Sequence, residues 1–222
     1  GYGQYCPIAR GAEVFATRWT PIIVRNLLIG CATFGEILDG APGLPRTLLS
    51  ERLRELEAVG VLRRVPNPRR RGWRYELTAA GQELAPVCDA LGAWGERWLE
   101  LAPEHVDPYV VVWGLAQTLR QRPDLLPGRR VTVLFDIAEQ RLATRRLWLV
   151  ASPREPEVCV SHPGWDEDLV VTTDAAWLAG WRLGRWDIGA GLRTDRVRVD
   201  GRVGLVRNLQ RWGEVGRTFG GG

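Results

Sequence analysis

The clearest pattern of apolar and polar positions lies between residues 43 and 62. Apolar side chains recur there at i, i+4 and i+7, the spacing of a helix that buries one stripe. The stripe consists of Leu49, Leu53 and Leu56. Gly60 follows the last turn, where a residue free to take positive φ is favoured. The pattern predicts an amphipathic helix that ends at Gly60, preceded by a short helix over Thr33–Leu38 and a turn at residues 41–43.

The face of the predicted helix opposite this stripe is polar. At 100° per residue it carries Thr47, Glu51 and Arg54, with Ser50 on its edge and Arg46 at the helix start. Polar side chains on such a face can hydrogen-bond base edges in a major groove, as in helix-turn-helix proteins. The residues expected to read bases are Arg46, Thr47, Ser50 and Arg54.

Two strands joined by a basic turn are predicted behind this helix. Val61–Val65 and Trp73–Leu77 have strand character, and residues 66–72 form a Pro- and Gly-containing tip with three consecutive arginines. Residues 41–75 hold nine Arg against three Glu, a local charge of +6, whereas the whole chain carries +4. A small helical domain whose arginines merely solvate its surface is the alternative. The concentration of charge favours a wing that contacts DNA through Arg69, Arg70 and Arg71.

Five segments in the first hundred residues occur together at a characteristic spacing. They are residues 5–10, 18–20, 48–57, 75–81 and 91–95. In this combination the chain resembles the HxlR family of bacterial winged helix-turn-helix transcriptional regulators. The resemblance implies a homodimer on palindromic double-stranded operator DNA, with terminal helices in the dimer interface. Arg18, which lies in the second segment, joins the expected DNA-binding residues.

Residues 81–98 predict one long helix, kinked at Pro86. Its apolar stripe consists of Leu84, Val87, Leu91, Trp94 and Trp98. A stripe of this size suits a dimer interface, with packing inside one chain as the alternative. Prolines and acidic residues then interrupt the periodicity, so we expect a DNA-binding domain at residues 1–100, a linker at 101–108 and a second domain at 109–222.

The second half predicts an α+β domain with one mainly antiparallel sheet. An amphipathic helix over Tyr109–Arg122 comes first. The expected strands are Val131–Ile137, Arg146–Ala151, Val158–Ser161, Leu169–Thr173 and Arg196–Asp200. Helices are predicted within Thr173–Trp181 and Val203–Trp212.

This order of elements, with the segments Leu169–Gly180 and Val197–Val203, resembles a sterol-carrier-protein-like domain over about residues 107–215. The resemblance implies a hydrophobic cavity for a lipid-like or other apolar molecule. Seven of the eleven tryptophans lie beyond residue 108, more than a modest core usually needs. Simple core packing is the alternative for each of them. The expected ligand-binding residues are Trp113, Trp148, Trp177, Trp181 and Trp186.

The four cysteines and two histidines show no metal-ligand spacing, so neither a metal site nor a cofactor is expected. Cys6 precedes Pro7 at the expected start of the first helix, where the helix dipole favours a thiolate. Some members of the HxlR family use a cysteine in this motif as a thiol sensor for oxidants or electrophiles. The alternative is a half-buried packing cysteine.

Catalysis finds little support, because the chain lacks a nucleophile elbow, a Walker loop, a paired His-Glu metal motif and a dinucleotide fingerprint. No apolar run approaches the roughly 20 residues that a membrane helix needs. We therefore expect a cytoplasmic, non-enzymatic repressor that responds to a hydrophobic small molecule and binds no membrane. A hydrophobic-ligand carrier, a thiol sensor acting through Cys6 and an enzyme hidden in the second domain are the alternatives.

Overall fold

The computed structural model describes residues 1–68, 71–102, 105–153 and 155–214 of the chain. Its contacts divide these residues into two units, one ending at Leu99 and the other starting at Glu100. The linker expected at residues 101–108 stays a prediction. Within the described ranges, none of the helices is both long and apolar enough to cross a membrane.

The first unit is a winged helix-turn-helix fold, as predicted. Its elements are α1 (Pro7–Phe15), α2 (Thr20–Leu28), α3 (Phe34–Asp39), α4 (Arg46–Ala58), β1 (Leu62–Pro66), β2 (Trp73–Leu77), α5 (Ala79–Gln82) and α6 (Ala85–Trp98). The two strands pair antiparallel, with Leu62 opposite Leu77 and Pro66 opposite Trp73. The strands β1 and β2 therefore form the wing directly behind α4.

Local signals explain where α3 begins and where α4 ends. Thr33 and Glu36 form a capping box at the start of α3, in which each side chain accepts a backbone N–H. Gly60 has a φ of +77° after α4, the left-handed conformation that glycine takes without strain. The stripe of Leu49, Leu53 and Leu56 is buried, so the polar face of α4 is turned outward.

The single long helix expected over residues 81–98 is wrong. The chain forms α5 and α6 instead, with Pro86 in the first turn of α6. Proline has no N–H for a helical bond to the preceding turn, but the first turn of a helix does not require that bond. Pro86 therefore starts a new helix rather than kinking a continuous one.

The described residues of the second unit form further helices and strands. They are α7 (Pro108–Gln121), a 3₁₀ turn (Pro123–Leu125), β3 (Val131–Ile137), α8 (Leu142–Arg145), β4 (Arg146–Ala151), β5 (Glu157–Cys159), β6 (Leu169–Thr173), α9 (Ala175–Arg182), α10 (Ile188–Arg193), β7 (Val197–Gly201) and α11 (Val203–Glu214). Asp174 caps α9 by accepting the Trp177 N–H at 2.7 Å. The short, glycine-containing helix α10 was not predicted.

The five strands of this unit form one sheet in the order β5-β4-β3-β6-β7. β3 and β6 run parallel, and the other three pairs are antiparallel. The mainly antiparallel α+β arrangement is therefore confirmed. Alternate residues of β3, including Val133 and Phe135, enter the hydrophobic core, and α11 adds Trp212, whose indole donates to the Leu125 carbonyl at 2.9 Å.

Candidate functional site

The outward face of α4 gathers the four residues expected to read bases. Arg46, Thr47, Ser50 and Arg54 are all exposed on the side opposite the buried leucine stripe. The Arg46 guanidinium lies 5.0 Å from the centre of the Phe34 ring, and the Arg54 Nε donates to the Ser50 carbonyl at 3.3 Å. Among the described residues, neither of these two arginines forms an ion pair with a carboxylate. Both charges remain available to a nucleic acid.

A pair of polar side chains in α2 holds α3 and the turn between α3 and α4 in place. Asn26 is fully buried and donates its Nδ2 to the Ile37 carbonyl at 2.8 Å. Arg25 donates its Nη2 to the Asn26 Oδ1 at 2.8 Å and to the Gly40 carbonyl at 2.7 Å. Burial lowers the pKa of Arg25, and the nearby Cys31 and Cys88 partly oppose that shift.

Sequence reasoning missed this pair. Its signal was available, because two adjacent polar residues interrupt the apolar run of α2. Buried polar groups need hydrogen-bond partners, and carbonyls at the ends of a short helix are natural acceptors. Arg25 and Asn26 therefore act as positioning residues for α3 and the turn before α4.

The wing holds a second feature that the sequence analysis did not single out. The Arg64 guanidinium lies 4.5 Å from the ring centre of Trp73, which is about half exposed. Stacking of this kind orients an arginine while leaving its N–H donors outward. Alternating arginine and aromatic residues across the two strands are the sequence signal for such a pair.

The other wing arginines differ in how far their charge is compensated. Arg63 pairs with Glu76 across the strands at 2.9 Å. Arg71 is exposed beside the tip, and among the described residues it has no ion pair. Arg69 and Arg70, also expected to contact DNA, lie outside the described residues. Arg64 and Arg71 are thus exposed wing arginines without an ion pair among the described residues, whereas Arg74 in β2 is partly buried.

Arg18, the remaining expected DNA-binding residue, is exposed between α1 and α2. Its guanidinium lies 5.7 Å from the ring centre of Trp19, which has a φ of +76° immediately before α2. Arg18 thus lies on a different segment from α4 and the wing.

Helix α6 leaves a large apolar surface exposed. Cys88 on one side of this helix is buried, whereas the predicted interface residues Leu91, Trp94 and Trp98 are 49%, 55% and 64% exposed. Tyr5 and Ile8, at the start of α1, are also exposed. Contiguous exposed apolar surface of this kind usually marks an interaction site.

Cys6 occupies the N-cap position of α1, immediately before Pro7, and is half-buried. Its side chain makes no capping hydrogen bond. Burial raises the pKa of the Cys88 thiol and of the Cys159 thiol, which disfavours their reactive thiolates.

Within the described ranges, no group of three or more metal-ligating side chains comes together.

Two of the five tryptophans expected to bind a ligand line one cleft among the described residues. Trp181 and Trp186 line a cleft of about 250 Å³ with Ile188 and with the polar residues Arg185 and Gln210. Trp113, Trp148 and Trp177 are buried but do not line this cleft.

Packing and hydrogen bonds describe the surroundings of the buried tryptophans. Trp148 donates its indole N–H to Glu167 at 3.0 Å, and Trp177 stacks on Trp181 with ring centres 6.3 Å apart. The cleft is also more polar than the apolar cavity implied by the resemblance. Trp177 belongs to the hydrophobic core of this unit, and a ligand-binding role for Trp113, Trp148 and Trp177 stays a prediction.

Comparison with known proteins identifies a family and several similar proteins. The family model described as HxlR-like helix-turn-helix matches residues 14–103. An uncharacterized HTH-type transcriptional regulator of Synechocystis sp. is 36% identical over 103 residues, which cover 44% of this chain and 73% of that protein. The uncharacterized HTH-type transcriptional regulator YvaP of Bacillus subtilis is 36% identical over 100 residues, covering 44% of this chain and 92% of that protein.

Among solved structures, the chain is similar to the UbiJ-SCP2 ubiquinone synthesis protein. The sequence identity is 20%, the TM-score is 0.33, and the match covers 58% of this chain and 95% of that chain.

Proposed function

The chain belongs to the HxlR-like helix-turn-helix family of transcriptional regulators, and from this premise we propose that it is a homodimeric, cytoplasmic repressor whose DNA binding responds to a hydrophobic small molecule. The observation that carries the proposal is the outward face of α4. It presents two arginines without ion pairs among the described residues, together with two hydroxyl side chains.

In the proposed complex, α4 enters the major groove of operator DNA. Arg46, Thr47, Ser50 and Arg54 contact base edges, where a bidentate contact contributes about 1–3 kcal/mol of discrimination. The buried Arg25–Asn26 pair supports this placement, because it ties α2 to the end of α3. Sequence recognition by α4 thus depends on the hydrogen bonds that hold the preceding helix, α3, in place.

Phosphate contacts come from outside α4 in this proposal. Arg18 and the wing arginines, Arg69, Arg70 and Arg71, hold the sugar-phosphate backbone or the minor groove, with Arg64 beside them. Such contacts release counterions and make binding depend on salt without reading the sequence. The uncompensated charge of Arg64 and Arg71 supports this role.

Dimerisation through α6 accounts for the exposed apolar face. Leu91, Trp94 and Trp98 would be covered by the same face of a second copy, with α1 alongside. Two-fold symmetry then requires two half-sites about 34 Å apart, or a multiple of one DNA turn. An operator with inverted repeats at that spacing is the expected target.

The second unit would receive the small molecule. Its support is the sterol-carrier-like order of elements and the tryptophan-lined cleft. A ligand shifts DNA affinity only by its preference between two conformations, commonly about 1–3 kcal/mol, and operator DNA must shift ligand affinity by the same factor. Repression would be relieved if the ligand favours the conformation that fits the half-sites poorly.

The test is to measure binding of the full chain to duplexes selected from a random pool, at several salt concentrations. Hydrophobic candidates are then titrated with and without the selected operator. Tight, salt-dependent and sequence-selective binding is expected, with reciprocal effects of ligand and DNA. The carrier alternative predicts ligand binding that is identical with and without operator.

A further inference from the structure

Building on the proposed ligand response, we infer that the second unit binds a small planar aromatic molecule carrying an acceptor or anionic group. The site is the cleft between α9, the segment leading into α10, and α11. Trp181 and Trp186 form its aromatic walls, Ile188 adds an aliphatic surface, and Arg185 and Gln210 supply polar contacts.

Two glycines hold the aromatic walls in place. A Cβ on Gly180 would overlap the indole of Trp186, and a Cβ on Gly213 would overlap the indole of Trp181. Each ring therefore lies directly on the backbone of a helix. Glycine within a helix is destabilising relative to alanine. These two helices are therefore less stable than they would be with alanine, but the missing Cβ atoms leave room for the indole rings.

The two tryptophans differ in exposure, and the difference indicates how a guest is held. Trp181 is buried and stacks nearly parallel to Trp177, with an angle of 6° between the rings. Trp186 is 53% exposed although it lines the same cleft. Aromatic pairs favour offset stacking or edge contacts at centroid separations of about 4.5–7 Å, so a flat aromatic guest can cover the exposed indole.

Arg185 and Asp187 give the cleft no net formal charge, so its N–H donors decide which guest it favours. The Asp187 carboxylate already accepts the Ala190 N–H at 2.7 Å, where it caps α10. A guanidinium carries five N–H donors, so Arg185 can bind an acceptor in addition to its existing interaction. Gln210 offers a further amide donor. A carboxylate or a carbonyl on the guest matches these groups.

The volume of the cleft limits the size of the guest. Pockets for drug-sized molecules measure about 300–1,000 Å³. A cleft of about 250 Å³ lies just below that range, which suits one or two fused rings. The guest is therefore smaller and flatter than the sterols and long acyl chains for which a hydrophobic tunnel would be built.

The proposal can be tested by calorimetric titration of the full chain with 2-naphthoate and with decanoate. The first probe is a bicyclic aromatic anion, and the second is a flexible aliphatic anion with the same charged group. We expect one 2-naphthoate per chain and binding of decanoate at least about tenfold weaker. Equal affinity for the two, or a preference for decanoate, would overturn the aromatic assignment.

Variants locate the binding site. Trp186→Ala should weaken 2-naphthoate binding about tenfold or more, whereas Trp186→Phe should retain most of it because a flat ring remains. Trp165→Ala is the matched control, since Trp165 is similarly exposed in the same unit but does not line the cleft. Unchanged binding by both Trp186 variants, each folded by circular dichroism, would overturn the site.

The same variants separate this inference from the proposed ligand response. If 2-naphthoate changes operator affinity equally in the wild type and Trp186→Ala, the response stands and the site is wrong. If binding depends on Trp186 but operator affinity does not change, the site stands and the response is wrong.

Discussion

The two units treat their arginines differently. In the second unit, many arginines pair with a nearby carboxylate. These pairs are Arg120–Glu155, Arg122–Asp124, Arg129–Asp168, Arg145–Asp136, Arg196–Asp174 and Arg198–Asp195. The first unit also has three such pairs, Arg10–Glu13, Arg52–Glu55 and Arg63–Glu76, but Arg46 and Arg54 on α4 and Arg71 at the wing have no such partner among the described residues. Surface pairs add little stability, but they cancel charge that would otherwise attract phosphate.

Large apolar side chains show the same contrast. Trp113, Trp148, Trp177 and Trp181 of the second unit are buried, although Trp165 and Trp186 are about half exposed. In the first unit, Trp94 and Trp98 lie on one helix face and are both more than half exposed. The second unit satisfies much of its own charge and apolar surface. The first unit leaves the arginines of α4 and the apolar face of α6 open, as the proposed DNA and dimer interfaces require.

The largest expected effect comes from placing charge on the open apolar face. The double substitution Leu91→Glu/Trp94→Glu should give monomers, because burying carboxylates in an apolar interface is costly. Operator affinity should fall with it by roughly 10²–10⁴-fold, since two linked half-site contacts become independent. Analytical ultracentrifugation and a DNA-binding titration measure the two quantities.

The control for that substitution is Val203→Glu, which alters an exposed apolar side chain of the second unit. It should leave the dimer and its DNA affinity intact. A wild-type chain that sediments as a monomer at micromolar concentration would contradict the proposed interface.

Removing the buried hydrogen bond between Asn26 and α3 should have the next largest effect. Asn26→Ala leaves the Ile37 carbonyl without its buried donor and costs about 1–3 kcal/mol. Hydrogen exchange of the α3 and α4 amides would show the loss in the first unit alone. Asn208→Ala, on the partly exposed surface of α11, should change stability by less than about 0.5 kcal/mol. Equal protection of α3 in both variants would show that the pair does not position the helix.

The difference between paired and unpaired arginines can also be tested within the wing. Arg71→Ala should flatten the dependence of log affinity on log salt by about one unit, because one phosphate contact is lost. Arg63→Ala removes the same formal charge from a residue already paired with Glu76, so its slope should change less. Identical slopes for the two variants would mean that ion pairing does not decide which arginines contact DNA.

The smallest effect is expected at Cys6. Cys6→Ser should leave stability within about 0.5 kcal/mol and operator affinity unchanged under reducing conditions, since the side chain makes no capping bond. Comparison of both proteins with and without hydrogen peroxide addresses the thiol-sensor alternative. A loss of DNA binding in the oxidised wild type, absent from the variant, would establish that alternative.

Much of the fold was predictable because its signals are local. The leucine stripe, the capping residue Thr33 and the turn at Gly60 each depend on a few neighbouring residues. The split at Pro86 was missed because apolar residues keep their helical spacing across it. The break comes from the missing backbone N–H of proline, which that spacing does not reflect. The helix α10 was missed because its six residues include two glycines and only two large apolar side chains, Ile188 and Leu192.

The site was predictable only where exposure follows from helical spacing. The outward face of α4 could be assigned from the sequence, whereas the Arg25–Asn26 support and the Arg64–Trp73 stack depend on contacts between elements. The tryptophans illustrate the limit most clearly. Composition gives their excess, but only packing separates Trp186 at a cleft from Trp177 in the core.

Base recognition by α4 is tested most directly by selecting binding sites from a random duplex pool with wild type, Arg54→Ala and Arg198→Ala. Arg198 is the control, because it is an exposed arginine of the second unit paired with Asp195. We predict that Arg198→Ala selects the wild-type sequence, whereas Arg54→Ala loses about 1–3 kcal/mol and relaxes preference at one position of each half-site. An unchanged affinity and an unchanged consensus for Arg54→Ala would contradict the assignment of α4 as the reading helix.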